Sequence, residues 1–239
     1  MTIRAAQTSR VLASAYPLSG VTTRWGFNWN AEMLDVTCLT NTAKVFLDGD
    51  EKSDFSVEGI LDTDGSVNAL NDQLTTWKAT SKPVTVAPSG TTAGSEVFIA
   101  SMVEGQYQTH TSKPDVVRWQ LAGTTDGLAD FGQSVLDLTA ITANNLSAAV
   151  DGTAATTNGG IAQIHVTAYS GFTNVVVTIE HSVDGSTSWA TLATFTTITN
   201  LTSERVLVAT GTNVRRFLRA NTAVTGAGSI TFQTSFARR

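Results

Sequence analysis

Three histidines, one cysteine and a run of carboxylates are the residues of this 239-residue chain that could carry chemistry. His165 and His181 fall on strands that the sequence predicts to be neighbours, so the two rings could approach each other. Neither has a cysteine or carboxylate at the spacing a zinc site requires. They are therefore expected, with His110, to be surface or sheet-face residues. Cys38 stands alone, which excludes an intramolecular disulfide and a cysteine metal cluster. No G-x-S-x-G elbow frames a serine nucleophile, and the glycines at 159–160 lack the Lys-Ser/Thr that completes a phosphate loop.

The carboxylates are denser. Asp48, Asp50, Glu51, Asp54, Glu58, Asp62 and Asp64 follow one another with only Lys52 between them in opposition. Three chemistries use such a run. Calcium would want the ligand spacing and distal Glu of an EF-hand loop, which DGDEKSD lacks. A glycosidase would want two of these acids across a sugar, yet any two among seven satisfy that by chance. A solvated acidic face or a negative lumen or groove asks only for the charge itself. These last two readings stand, with Asp48, Asp50, Glu51, Asp54 and Glu58 as candidate lumen or subunit-contact acids. Neither enzymatic activity nor a cofactor or metal is expected.

The elements that must hold these residues are mostly strands. Low charge (15%), 19 glycines and abundant Thr, Ser and Val describe a turn-rich β protein. Residues 1–138 carry 9 Lys+Arg against 16 Asp+Glu and residues 139–239 carry 6 against 4, so the first part is acidic and the second mildly basic. An acidic half argues against a general nucleic-acid grip, which needs clustered positive charge. No run approaches the ~20 apolar residues that span a membrane, and residues 1–20 lack the apolar stretch of a secretory signal. Synthesis in a reducing cytoplasm is expected.

Along the chain, Trp25, Phe27 and Trp29 alternate, so on a strand they share a face. They read either as a buried anchor or as an N-terminal arm docking onto a neighbouring subunit; stacking on single-stranded nucleic acid would want more than Arg24 nearby. Phe55, Val57 and Gly59 alternate with Asp54, Ser56, Glu58 and Ile60, predicting a half-buried strand. After the Asp64-Gly65 break, Val67, Leu70, Leu74 and Trp77 fall at helical spacing, which predicts a helix over 66–78 capped by Ser66 and packed on a sheet. Further strands are expected over 82–87, 96–104 and 116–121. The small, nearly uncharged stretch 139–160 reads as a linker between an α+β domain at 1–138 and an all-β domain at 161–239. In that second domain about six strands predict an Ig-like or jelly-roll-like antiparallel β-sandwich. Its turn at 182–188 leads into Trp189, which is either a generic hairpin aromatic or a glycan contact. Arg215, Arg216 and Arg219 form a basic strand suited to an interface or a salt bridge.

The order of elements over 32–122 resembles the tail tube (major tail) proteins of long-tailed, non-contractile bacteriophages. Asp35-Val36-Thr37, Leu39-Thr40-Asn41-Thr42-Ala43-Lys44, the strand Phe55-Ser56-Val57-Glu58-Gly59, the expected helix and the strands VFIASMVE and DVVRWQL carry the resemblance, over about two-fifths of the chain. The resemblance implies a tail-tube-like β-sandwich or barrel with one packed helix, and an outer sandwich domain. It implies a subunit of stacked hexameric rings around a channel that DNA traverses without specific binding, with itself and other tail proteins as partners, in a virion assembled in the host cytoplasm. The alternative is a tail or surface adhesin whose 161–239 domain binds host glycan. The aromatic-rich segment before residue 32 and the absence of a long loop between 40 and 55 depart from the family pattern.

Overall fold

The computed structural model describes residues 8–18, 22–38, 43–60, 74, 77–111, 117–127 and 129–239, the side chains of 31 and 48–51 excepted. By internal contacts the chain divides into two compact units. One comprises Met1–Gly20, Lys82–Ala100 and Asp130–Arg239, the other Val21–Ser81 and Ser101–Ala129.

The first unit is built on two sheets. The larger runs in the order β14 (Thr202–Val208), β11 (Gly160–Ser170), β16 (Ser229–Arg238), β8 (Asp130–Ile141), the first part of β6 (Glu96–His110), β5 (Ser81–Ala87), β1 (Arg10–Ala13) and β2 (Tyr16–Pro17). The smaller runs β10 (Val150–Asp151), β15 (Phe217–Thr225), β12 (Asn174–Ser182) and β13 (Ala190–Thr194), with β9 (Asn145–Leu146) also on β15. Strict alternation along β12 sends Val175, Val177 and Ile179 inward. They meet Ala162, Ile164 and Val166 of β11 and Phe232 and Phe236 of β16 in one apolar core between the sheets. β11 is buried on both faces because the larger sheet curls. Its second face, with Ile161, Gln163 and His165, lies against β5 and β1.

The second unit is a four-stranded antiparallel sheet, β3 (Thr22–Asp35), β4 (Phe46–Ile60), β7 (Arg118–Thr125) and the later part of β6. Its two faces differ as period-2 alternation requires. Phe55, Val57, Trp119, Leu121 and Met102 are buried on one, whereas Asp54, Ser56 and Glu58 stay partly exposed on the other.

Two expectations of fold class are corrected. The first is the α+β domain with a packed helix over 66–78. Among the described residues every regular element with printed bounds is a strand, and the fold is predominantly β with several open sheets. Most of the expected helix lies outside the described residues. At its end, however, Lys78 forms a parallel bridge with Glu104, Ala79 takes a positive φ of 58°, and Thr80 donates to the Trp77 carbonyl through N (2.8 Å) and Oγ1 (2.6 Å). The helical spacing reported only which side chains seek burial: Leu74 and Trp77 are indeed buried. The second correction concerns the self-contained Ig-like or jelly-roll-like sandwich. β16 continues laterally into β8, through pairs such as Phe236↔Gln133 and Ile230↔Ile141, and thence into β6, β5, β1 and β2. The larger sheet is therefore open and draws strands from well before residue 161.

Candidate functional site

The candidate site residues gather mainly on the second unit's sheet. Directly opposed residues of an antiparallel pair share a face. The register Trp25↔Val57, Phe27↔Phe55 and Trp29↔Ser53 therefore puts the three aromatics on the sheet's apolar face. Trp25 and Phe27 are half-buried there, and Trp29 remains 45% exposed. Glu104 sits on this face opposite Gly123, only 6% exposed, with Oε2 making no hydrogen bond. Desolvation pushes its carboxyl above the usual range, with Lys78 pulling the other way, and the adjoining Tyr107 phenol is raised by burial and then by Glu104.

The opposite face is polar. Asp54 accepts from Thr124 Oγ1 at 3.0 Å and lies 3.4 Å from Lys52 Nζ. Glu58 lies 3.8 Å from Arg118 of β7 and directly across from Arg24 of β3. A shallow groove of about 280 Å³ crosses all four strands, lined by Asn28, Asp54, Ser56, Gln106, Ala122 and Thr124 among others. Asp48, Asp50 and Glu51 belong to β4 in register with β3, but their side chains are not among those described, and Asp62 and Asp64 lie outside the described residues. The sequence set only Lys52 against these acids. Arg118 comes 60 positions later, brought alongside by the Ile60↔Arg118 pairing. This face is thus polar and partly neutralised.

Beyond Lys52, β4 leaves β7 and continues with β3 alone as a two-stranded ribbon. Leu34↔Leu47 and Asp35↔Phe46 pair near its end, and Met33, Leu34, Val45, Phe46 and Leu47 are all exposed. At the tip Asp35 accepts from Thr37 N and Oγ1, which together hold its carboxyl below the usual range.

The remaining candidates lie in the first unit. Trp189 is half-buried, and the Arg219 guanidinium lies 4.2 Å from its ring centroid while also bonding Glu180 at 2.7 Å. One face of that ring is therefore taken by a cation. The turn before it is held by Asp184, whose carboxylate accepts from Ser186 N, Thr187 N, Thr187 Oγ1 and Ser182 Oγ, and those bonds hold it far below the usual carboxylate range. His165 and His181 lie in different sheets rather than on adjacent strands. His165 is fully buried: Nδ1–H donates to the Ser14 carbonyl at 2.6 Å, and Nε2 accepts from Thr85 Oγ1 at 2.8 Å and Gln163 Nε2 at 3.0 Å. Burial lowers its pKa to about 4, so the ring is neutral. Asp130, likewise buried, takes Arg205 at 2.5 Å and Arg239 at 2.9 and 3.1 Å. Neither network was visible in the sequence, since each joins residues at least 34 positions apart. Among the described residues no group of three His, Cys, Asp or Glu side chains could hold a metal ion.

No protein-family model matches the chain, and no curated protein matches it. Its fold has distant counterparts among solved structures. A protein in the virion of a native gene transfer agent particle is 16% identical, with a TM-score of 0.43 over 54% of this chain and 98% of that chain. A protein of the tail of an empty particle of that kind, refined with C6 symmetry, is 16% identical with a TM-score of 0.41, over 51% and 94%. The Dit (gp 19.1) protein of SPP1, described as a paradigm of the hub adsorption apparatus in phages infecting Gram-positive bacteria, is 12% identical with a TM-score of 0.39, over 95% and 98%. The chain thus has distant structural similarity to phage tail and virion proteins.

Proposed function

We propose that the protein is a structural tail subunit that self-associates into rings, hexameric in the family it resembles in sequence, stacked around a channel through which DNA passes. The observation that carries this reading is the pair of edges on the second unit's sheet. Among the described strands, β3 pairs only with β4, and β6 from Gln106 onward pairs only with β7. A long unpaired edge is a template for another strand. Joining the β3 edge of one copy to the β6 edge of the next repeats head to tail and closes into a ring when the rotation allows. Such a ring has one polar wall, bearing Asp54 and Glu58, and one apolar wall. With the polar wall inward, partly compensated carboxylates present DNA with no basic grip.

The ribbon at Met33–Leu34 and Phe46–Leu47 supports the same reading. A two-stranded ribbon is marginal in water by itself, and apolar residues exposed along it call for a covering surface. Negative-stain microscopy and light scattering on the purified protein at increasing concentration test the proposal. Rings or tubes are the expected outcome. A strictly monomeric particle at high concentration rejects it. Reversing Asp54 and Glu58 to Lys is expected to leave rings intact while slowing DNA passage.

A further inference from the structure

The first unit holds a groove that neither the ring reading nor the sequence motifs use. We propose that it is a carbohydrate-binding subsite, in which Phe131 is the platform for one sugar ring and Glu96, Gln133 and Arg238 meet its hydroxyls.

The site follows from the register of three strands. β6 and β8 pair as Phe98↔Phe131 and Glu96↔Gln133, and β8 and β16 pair as Gln133↔Phe236. All five side chains therefore point to one face of the sheet, the face whose Phe236 closes the apolar core. The smaller sheet covers that face as far as β10, where Gly152 lies against the Arg238 guanidinium: a Cβ there would fall 2.0 Å from Nη1. Past Gly152 the face is left open as a cavity of about 390 Å³, within the range typical of small-ligand sites.

Its lining is mixed in a way that suits a sugar. Phe98 and Phe131 meet edge to face with centroids 4.7 Å apart, and Phe131 remains 52% exposed. An aromatic pair facing solvent on a sheet is an unusual use of apolar area unless something covers it. Glu96 and Gln133 stand two residues along the same strands, a displacement of about 7 Å. That is the distance from the middle of a sugar stacked on Phe131 to groups bonding its edge. Glu96 is exposed and makes no ion pair among the described residues. Gln133 Oε1 is buried without a hydrogen-bond partner. Leaving such an acceptor unmade is costly, and the terminal amide torsion is soft enough to turn it toward a ligand hydroxyl. Arg238 supplies the donor at the far end: Nη2 bonds the Arg215 and Arg216 carbonyls at 3.2 and 2.8 Å, which fixes the guanidinium in place. A purely apolar partner would strand these polar groups, whereas a hydroxyl-rich ring with one C–H face satisfies both halves of the lining.

The inference is independent of ring formation, and it places sugar recognition away from Trp189. The test is saturation-transfer NMR on the full chain with methyl glycosides of glucose, galactose, N-acetylglucosamine and rhamnose, followed by titration of any that bind. At least one is expected to bind, and to weaken about tenfold or more in Phe131→Ala and in Glu96→Gln, with Trp189→Ala unchanged. Phe131 and Glu96 are exposed, so both variants are expected to keep the wild-type melting temperature. Binding by none of the four, or binding indifferent to both substitutions, overturns the proposal. So does loss in Trp189→Ala alone. Failure of Phe131→Ala to self-associate, with sugar binding intact, would mark the groove as a contact between copies and overturn it equally.

Discussion

The two units treat their polar groups and edges in opposite ways. In the first, β11 is buried on both faces, and Gln163 and His165 on its second face are hydrogen-bonded to Val84, Thr85 and Ser14. In the second, one sheet has a polar face, aromatics only half-covered, Glu104 with a buried unbonded oxygen, and two edges unpaired among the described strands. The first unit is satisfied by its own chain. The second leaves its accounts open, which is what an element completed by neighbouring copies requires. The difference shows where to look for function in a β protein without an active site: at the groups left unsatisfied.

The largest expected effect belongs to the internally satisfied unit. Phe232 is fully buried between its two sheets. Phe232→Ala should cost about 3–5 kcal/mol in denaturant unfolding. A loss under ~1 kcal/mol would mean that the sandwich core adjusts and is not the rigid scaffold described here.

Acid should separate the units by sign. His165 has its folded pKa lowered to about 4 from 6.5. Between those values the unfolded chain binds the proton more readily, so stability falls as pH drops from 6.5 toward 4 and the loss is complete below 4. The whole effect is ~3 kcal/mol, and His181, also lowered by burial and by Arg215, adds in the same direction. His165→Gln should flatten most of this slope, as read by unfolding at a series of pH values. A slope unchanged in the variant would assign it elsewhere.

Glu104 should run the other way. Its folded pKa is raised, so the native state takes up a proton before the unfolded chain does. The second unit therefore gains stability as pH falls through the folded pKa. Glu104→Gln, which removes the buried charge and keeps the shape, should abolish that gain and stabilise the unit by ~1 kcal/mol at neutral pH. Hydrogen exchange of β6 and β7 amides is the measurement. Slower exchange in wild type than in the variant at pH 7 would contradict it.

The sequence made this contrast only half legible. Alternation placed Phe55 and Val57 against Asp54 and Glu58 correctly, and placed Trp25, Phe27 and Trp29 on one face, because a strand's period is local. β8 was not anticipated: Asp130-Phe131-Gly132-Gln133-Ser134 has little β-branched character and is held as a strand by β6 on one side and β16 on the other. The helix expected over 66–78 failed for the complementary reason. Apolar spacing reports burial, while the backbone path at 77–80 is set by the bridge from Lys78 to Glu104. The candidate acids were legible as charge but not as an arrangement, since Arg118 reaches Glu58 only through sheet pairing.

The smallest effect on a single chain should be the most telling about the assembly. Leu34 and Leu47 face each other across the ribbon with 46% and 56% of their surfaces exposed. Trimming them to Ser removes little buried area from the isolated chain, so the change in unfolding free energy should stay within ~0.5–1 kcal/mol. In a ring the same residues meet a second surface, where each buried leucine is worth ~1.5–3 kcal/mol, and every subunit carries both. The penalty then multiplies around the ring, so Leu34→Ser with Leu47→Ser should abolish ring particles while leaving the monomer's melting temperature nearly unchanged. Rings that persist in the double variant would remove the ribbon from the interface and leave the β3 and β6 edges as the only contacts proposed. A monomer that unfolds would instead show that the ribbon is packed by its own chain, and the contrast between the two units would lose one of its supports.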